Sequence, residues 1–249
     1  MQLIAFAAAL AAGGAAGARK QALLTPSGDT VPENLLRIEL ALPRPLPHPL
    51  AMDHVRLLDG QGRPVEGALL DLPLPAADGR SVTLLLHPGR VKTGLGANLA
   101  LGRALHAGED VTLVVDDPQF AQPLRKHWHV GPAHDKALLE EARLDAPPRA
   151  GSRAAMSIRF GASLSASGAS LIGIRGPDGE RVAGLATLIE GETVWHFSPT
   201  APWRAGRHAV VIHPLLEDVA GNRPCAAFEA RGLGDEQCPQ AERPFQVAD

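Results

Sequence analysis

Val55-Arg56-Leu57-Leu58-Asp59-Gly60-Gln61-Gly62-Arg63-Pro64-Val65-Glu66-Gly67 and Leu171-Ile172-Gly173-Ile174-Arg175-Gly176-Pro177-Asp178-Gly179-Glu180-Arg181-Val182-Ala183-Gly184 read as one pattern written twice. Each runs as a strand-length apolar segment, a tight glycine turn and a second short segment, the signature of a hairpin. Gly62 and Gly179 lie 117 residues apart, about the length of one ordinary domain. Further along, Leu105-His106-Ala107-Gly108 before a run at 111–115 matches Trp203-Arg204-Ala205-Gly206 before a run at 209–213. A loop ending at Pro123 then matches one ending at Pro224. Gly108 and Gly206 are 98 apart, so the first copy carries an extra stretch of about 19 residues, placed near 88–104. Matches in series point to duplication, with a first domain over 25–131, a second over 144–247 and a connection over 132–143.

The segments between turns decide the fold class. Gly (26) and Pro (22) punctuate the chain. Between them lie short β-branched runs at 35–40, 82–86, 111–115, 156–160 and 209–213, which read as strands. Helical spacing is weak except over 136–143. The expectation is an all-β chain of two tandem Ig-like β-sandwich domains. Alternation places Leu84, Leu86, Leu113 and Val115 inside the first copy, and Trp195, Phe197, Val210 and Ile212 inside the second. Hydrophobic residues make up 45% of the 249, enough for real cores. The net charge of -3, without a basic stripe, argues against a nucleic-acid partner. Aromatics at 4%, with no Tyr, argue against a sugar- or peptide-binding platform.

The first residues suggest a compartment. An apolar run at 3–12 is followed by small residues and Ala16-Gly17-Ala18, an A-x-A signal-peptidase site. A signal peptide over 1–18 with cleavage after Ala18 is expected, although its first segment has no Lys or Arg. The run is shorter than the ~20 residues of a membrane-spanning helix. Cys225 and Cys238 are the only cysteines. In an oxidising compartment they pair and staple the C-terminal loop. The expected location is periplasmic or secreted.

The second copy contains Leu216-Glu217-Asp218-Val219-Ala220-Gly221-Asn222, after the strand introduced by Ala205-Gly206. This resembles the bacterial Ig-like domains of S-layer protein SbsA, where a late strand runs into an L-x-D-x-A-G-N turn. Asp218 accepts backbone N–H bonds in such a turn, and Gly221 or Asn222 takes positive φ. The rest is similar to exported bacterial proteins of uncharacterised role with two SbsA-type domains. The matching segments are Thr25-Pro26-x-Gly28, 31–37, 87–94 and Trp195-x-Phe197-x-Pro199 with Pro202-Trp203. The resemblance implies no activity. In the first copy 117–123 lacks the Gly-Asn pair.

Candidate chemistry is sparse. No G-x-S-x-G, H-E-x-x-H or P-loop occurs, and Gly94-Leu95-Gly96 reads as a plain loop. No catalytic residue, enzyme activity or cofactor is assigned. His127 and His129, two apart on a strand, could face one metal with His134 returning across a loop. The alternative, surface histidines at a strand end, is preferred, so no metal is assigned. Asp116-Asp117 and Glu217-Asp218, read as matching strand-end loops, are turn caps or calcium ligands. Arg90 and Lys92, in the stretch without a counterpart, are candidates for a ligand or partner loop. Trp195, Phe197 and Trp203 read as core. The function expected is a non-catalytic exported protein with a structural or protein-interaction role in the cell envelope. The alternative is a periplasmic binding module for a small ligand or metal ion.

Overall fold

A computed structural model describes residues 21–230 and 238–249. Residues 1–18, expected from sequence to be a leader, lie outside the described residues. The first half contains β1 (Leu23–Thr25), β2 (Thr30–Pro32), β3 (Arg37–Ala41), β4 (Val55–Leu58), β5 (Leu74–Pro75) and β6 (Ser81–Leu85). Two short helices follow, α1 (Pro88–Val91) and α2 (Gly96–Leu101), then β7 (Asp110–Val115) and β8 (Leu124–Gly131). One helical turn, α3 (Leu138–Glu141), leads into β9 (Arg143–Leu144), β10 (Met156–Arg159), β11 (Ile172–Arg175), β12 (Gly184–Ile189), β13 (Val194–Pro199), β14 (Gly206–Ile212) and β15 (Ala241–Val247).

These strands form four sheets in two facing pairs. The first half has the orders β1-β3-β6-β5 and β2-β8-β7-β4, and the second has β9-β10-β13-β12 and β11-β14-β15. The strand sets are those of Ig-like sandwiches, four strands against three. β2 adds a parallel pairing onto β8. Alternation along the strands supplies the interior. Leu84, Leu86, Leu113 and Val115 are fully buried, as are Trp195 and Val210, while Phe197 and Ile212 are buried to within a few percent. Trp195 stacks on Phe197 with centroids 5.6 Å apart. Trp128, between the two strand histidines, is fully buried and donates its indole N–H to the Pro26 carbonyl at 2.9 Å.

The quoted hairpins are equivalent. Gly62 and Gly179 have φ of 77° and 86°, where a side chain would be strained. Gly62 N donates to Asp59 O and Gly179 N to Gly176 O; one turn further, Val65 N donates to Leu57 O and Val182 N to Ile174 O. β4 pairs Val55 with Val115, and β11 pairs Ile172 with Ile212. The late strands are therefore displaced by 97 positions where the hairpins are displaced by 117. β8 pairs Lys126 with Leu113, and β15 pairs Arg243 with Val210, which restores 117.

Two corrections follow from this register. Leu124 is equivalent to Ala241, so Pro123 matches Gln240 and not Pro224. Gly108 falls one residue before the position equivalent to Gly206, although both have positive φ, 90° and 125°. The length difference also occurs twice. The connection from β6 to β7 spans 86–109, against 200–205 between β13 and β14. The connection from β14 to β15 spans 213–240, against 116–123 between β7 and β8. Each copy therefore carries one long loop that the other lacks.

Candidate functional site

The two long loops meet each other. The first, with α1 and α2, places Thr93 N 3.0 Å from the Glu229 carboxylate, and Lys92 Nζ 5.6 Å from the centroid of the Phe228 ring. Phe228 and Glu229 belong to the second loop. Around this contact the halves join through the Leu216–Asn222 turn.

The turn is built as its sequence requires. Asp218 and Asn222 have no exposed surface. Asp218 Oδ1 accepts from the backbone N–H of Ala220 and Asn222, both at 2.9 Å, and Oδ2 accepts from Asn222 Nδ2 at 2.8 Å. Gly221 takes φ of 83°, and a Cβ there would stand 2.6 Å from Leu36 Cδ2. Two residues back, Val219 lies within the core cluster of the first sandwich. Its carbonyl accepts from Leu36 N at 2.8 Å and Arg37 N at 3.1 Å. Glu217 binds Arg37 across the joint and Arg223 within its own loop.

His134, in the connection between the sandwiches, locks onto this turn. Its Nδ1 is 3.1 Å from Asp218 Oδ2 and its Nε2 is 3.1 Å from Glu141 Oε2. The hydrogen bond to Asp218 holds the imidazole above the usual histidine range, opposed by burial and aided by Glu141. Two carboxylates on two ring nitrogens favour the doubly protonated ring, because both nitrogens then donate. The His134 backbone is held as well. Its N–H donates to Asn34 Oδ1 at 2.9 Å, and its carbonyl accepts from Asn222 Nδ2 at 2.7 Å.

A second strut lies at the β12–β13 hairpin. Glu190, Gly191 and Glu192 have φ of 52°, 65° and 62°, a left-handed run costing about 1–2 kcal/mol per non-glycine residue. It brings the Glu192 carboxylate to Ser27 N and Ser27 Oγ, each at 2.7 Å. Nearby, Glu39 on β3 accepts from Ala166 N at 2.7 Å. Burial pushes the Glu39 carboxyl above the usual carboxylate range. Because the second sandwich covers it, β3 buries consecutive residues where a free strand face would alternate.

The candidates named from sequence fall differently. Arg90 is buried, and its guanidinium donates to the carbonyls of Glu66, Leu101, Gly102 and Arg103. It ties its own loop together and presents no free donor face. Lys92 faces Phe228 across the joint. His127 and His129 do share a face of β8, with His129 Nδ1 3.0 Å and His127 Nε2 3.8 Å from Asp110 Oδ1. His134 shares no partner with them, so the three do not converge. Asp116 is equivalent to His213 by register, so Glu217-Asp218 lies deeper in its loop than the matching-loop reading assumes. Asp117 caps its own turn, with Oδ1 2.8 Å from Gln119 N. Cys225 and Cys238 are bonded, with Cα atoms 5.6 Å apart. Among the described residues no helix is long and apolar enough to cross a membrane, and no group of three or more His, Cys, Asp or Glu side chains is placed to hold a metal ion.

Asn34, Glu141 and Glu192 are joint residues the sequence reading missed. Their side-chain partners lie from five to 165 positions away, so no local pattern marks them.

No protein-family model matches the chain, and no curated protein matches it. Solved structures do. Domains 5–6 of the S-layer protein SbsC are 7% identical, with 92% of this chain and 97% of that one covered and a TM-score of 0.28. A titin tandem of two Ig domains is 11% identical, with 88% and 90% covered and a TM-score of 0.26. The BSP domain structure of a biofilm-associated protein is 8% identical, with 92% of this chain but only 29% of that one covered and a TM-score of 0.27. Scores this low carry no argument about function.

Proposed function

We propose that this chain is a non-catalytic, exported Ig-like protein that serves the cell envelope as a stiff two-sandwich spacer and protein-interaction piece. The observation behind the reading is the joint. Asp218, His134 and Asn222 link the second sandwich, the connection and the first sandwich through buried bonds, and Val219 enters the core of its neighbour. Interfaces between domains are usually polar and permit relative motion. A carboxylate with every hydrogen bond satisfied, beside an inserted valine, favours one fixed orientation. Such stiffness suits a part that holds surfaces at a set distance.

The finer assignments are 1–18 as a removed leader, Ig-like units at 25–131 and 144–247, and SbsA-type kinship. A disulfide persists in oxidising compartments, and Cys225–Cys238 supports a periplasmic or secreted location. The test has two arms. Cell fractionation should recover protein beginning at Arg19 in the envelope fraction, and intact protein in the cytoplasm would sink the export reading. Small-angle scattering and ¹⁵N relaxation of the mature chain should fit one rigid body. Independent tumbling of the two halves would sink the spacer reading.

A further inference from the structure

A groove of about 310 Å³ lies on the second sandwich beside β11, lined among others by Leu171, Gly173, Arg181, Val211 and His213. Its volume is at the lower end for small-molecule sites. The floor is made by Gly173 and its cross-strand partner Val211.

Gly173 sits in the interior of a regular strand. A glycine there usually marks a bulge, a bend or a close approach. Pairing is unbroken from Ile172 to Arg175, which removes the bulge. What approaches is Arg181: its Nε, Cζ and Nη2 stand 3.6, 3.8 and 3.9 Å from where a Gly173 Cβ would be. The guanidinium lies against the bare backbone, and among the described residues it makes no hydrogen bond or ion pair. The nearby carboxylate of Glu242 is taken by Arg175 at 2.9 and 2.5 Å.

The first sandwich shows what the arrangement lacks. By the 117-residue register its equivalents of Gly173 and Arg181 are Arg56 and Pro64, and by the late-strand register its equivalent of His213 is Asp116. The backbone agrees: Asp116 N donates to His54 O, and His213 N donates to Leu171 O. In the first copy Arg56 faces Asp116 at 3.8 Å. In the second copy the arginine has moved to 181, the floor is open at Gly173, and a histidine replaces the carboxylate. The His213 Nδ1 accepts from Leu215 N at 3.2 Å, which leaves Nε2 without a partner among the described residues.

We infer that this groove binds a small organic carboxylate with an apolar body. The carboxylate sits on Arg181 beside His213, where Asp116 serves the first copy from within, and the apolar part covers Gly173, Val211 and Leu171. A planar guanidinium matches a carboxylate through two parallel N–H bonds. The site is independent of the joint, so the inference stands apart from the spacer reading.

The mature protein, ¹⁵N-labelled, is titrated with 4-phenylbutyrate and separately with its neutral amide. The Gly173 and Val211 amide signals should shift and saturate with the acid, while the amide binds at least about 10-fold more weakly. Arg181→Gln, at an exposed position, should weaken the acid by about 10- to 100-fold, the range for a charged hydrogen-bonding group. Gly173→Arg restores the residue of the first copy and should abolish the shifts while the melting temperature holds. The absence of saturation, equal affinity for acid and amide, or indifference to Arg181→Gln would each overturn the assignment. Displacement by inorganic phosphate at concentrations equal to the acid would also overturn it, by removing the role of the apolar floor.

Discussion

Replacing Asp218 by alanine tests the joint at its centre. The carboxylate accepts from Ala220 N, Asn222 N and Asn222 Nδ2, and faces His134 Nδ1. Truncation leaves two buried backbone N–H groups without acceptors, each costing about 1–3 kcal/mol. It also removes the carboxylate that most raises the proton affinity of His134. These losses overlap because the turn relaxes, and the removal of one member of a buried pair typically totals about 3–5 kcal/mol. Against a total stability of about 5–15 kcal/mol that is a large fraction. For a chain of this size it lowers the melting temperature by roughly 10 °C. Asp218→Asn keeps the Oδ1 acceptor but turns an amide toward Asn222 Nδ2, so it should cost less, about 1.5–3 kcal/mol. The informative assay separates the halves. Guanidinium unfolding is followed through Trp128, in the first sandwich, in a chain with Trp195 and Trp203 replaced by phenylalanine, and through the latter pair in Trp128→Phe. Each is compared with its own Asp218→Ala derivative. Both halves should lose stability, because the turn carries Val219 into the first core. A loss under about 1 kcal/mol, or a loss confined to the second half, would refute the reasoning.

Three further outcomes are expected. Because the folded His134 holds its proton more tightly than the unfolded chain, its stabilisation is complete below the unfolded value near 6.5 and fades as pH rises through the folded value. Melting temperature should therefore decline as pH rises from about 6.5 through the raised folded value, and the decline should shrink in His134→Gln. An unchanged slope would remove His134 as its source. Arg90→Met strips charged donors from four carbonyls and should speed amide exchange over 88–104 while leaving β7 and β8 protected; exchange like that of the parent would show that the loop closes without the arginine. Cys225→Ser with Cys238→Ser should cost about 2–4 kcal/mol, and non-reducing peptide maps of the parent should show one linked pair. Free thiols in protein taken from an oxidising compartment would contradict that.

The sandwiches were readable because their signals are local. Strand alternation named eight interior positions correctly, and the two glycine hairpins fixed the main register. The L-x-D-x-A-G-N turn revealed its own geometry, since Asp218 caps residues two and four positions on. The later register slipped because a proline is a poor marker: Pro123 and Pro224 both end loops, but only hydrogen-bond pairing shows that 20 residues enter the second copy beyond β14. The joint was hidden for another reason. Asn34 meets His134 across 100 positions and Ser27 meets Glu192 across 165, and such polar pairs leave no periodic trace. Arg90 shows the complementary failure: a charged residue in an unmatched loop looks available, yet this one fastens its loop from inside.

Val219 has a consequence for how the chain is made. The last strand of the first sandwich ends at Gly131, and the valine that enters its core comes 88 residues later. A ribosome adds about 5–20 residues per second, so the first half is synthesised on the order of ten seconds before that part of its interior exists. During that interval the Leu36 N–H, which donates to the Val219 carbonyl in the finished fold, has no partner there. The early half can form its strands but cannot finish its packing until the late half arrives. A truncated product ending after Gly131 should thus remain open to a holding chaperone or a protease, whereas the full chain closes in both halves together.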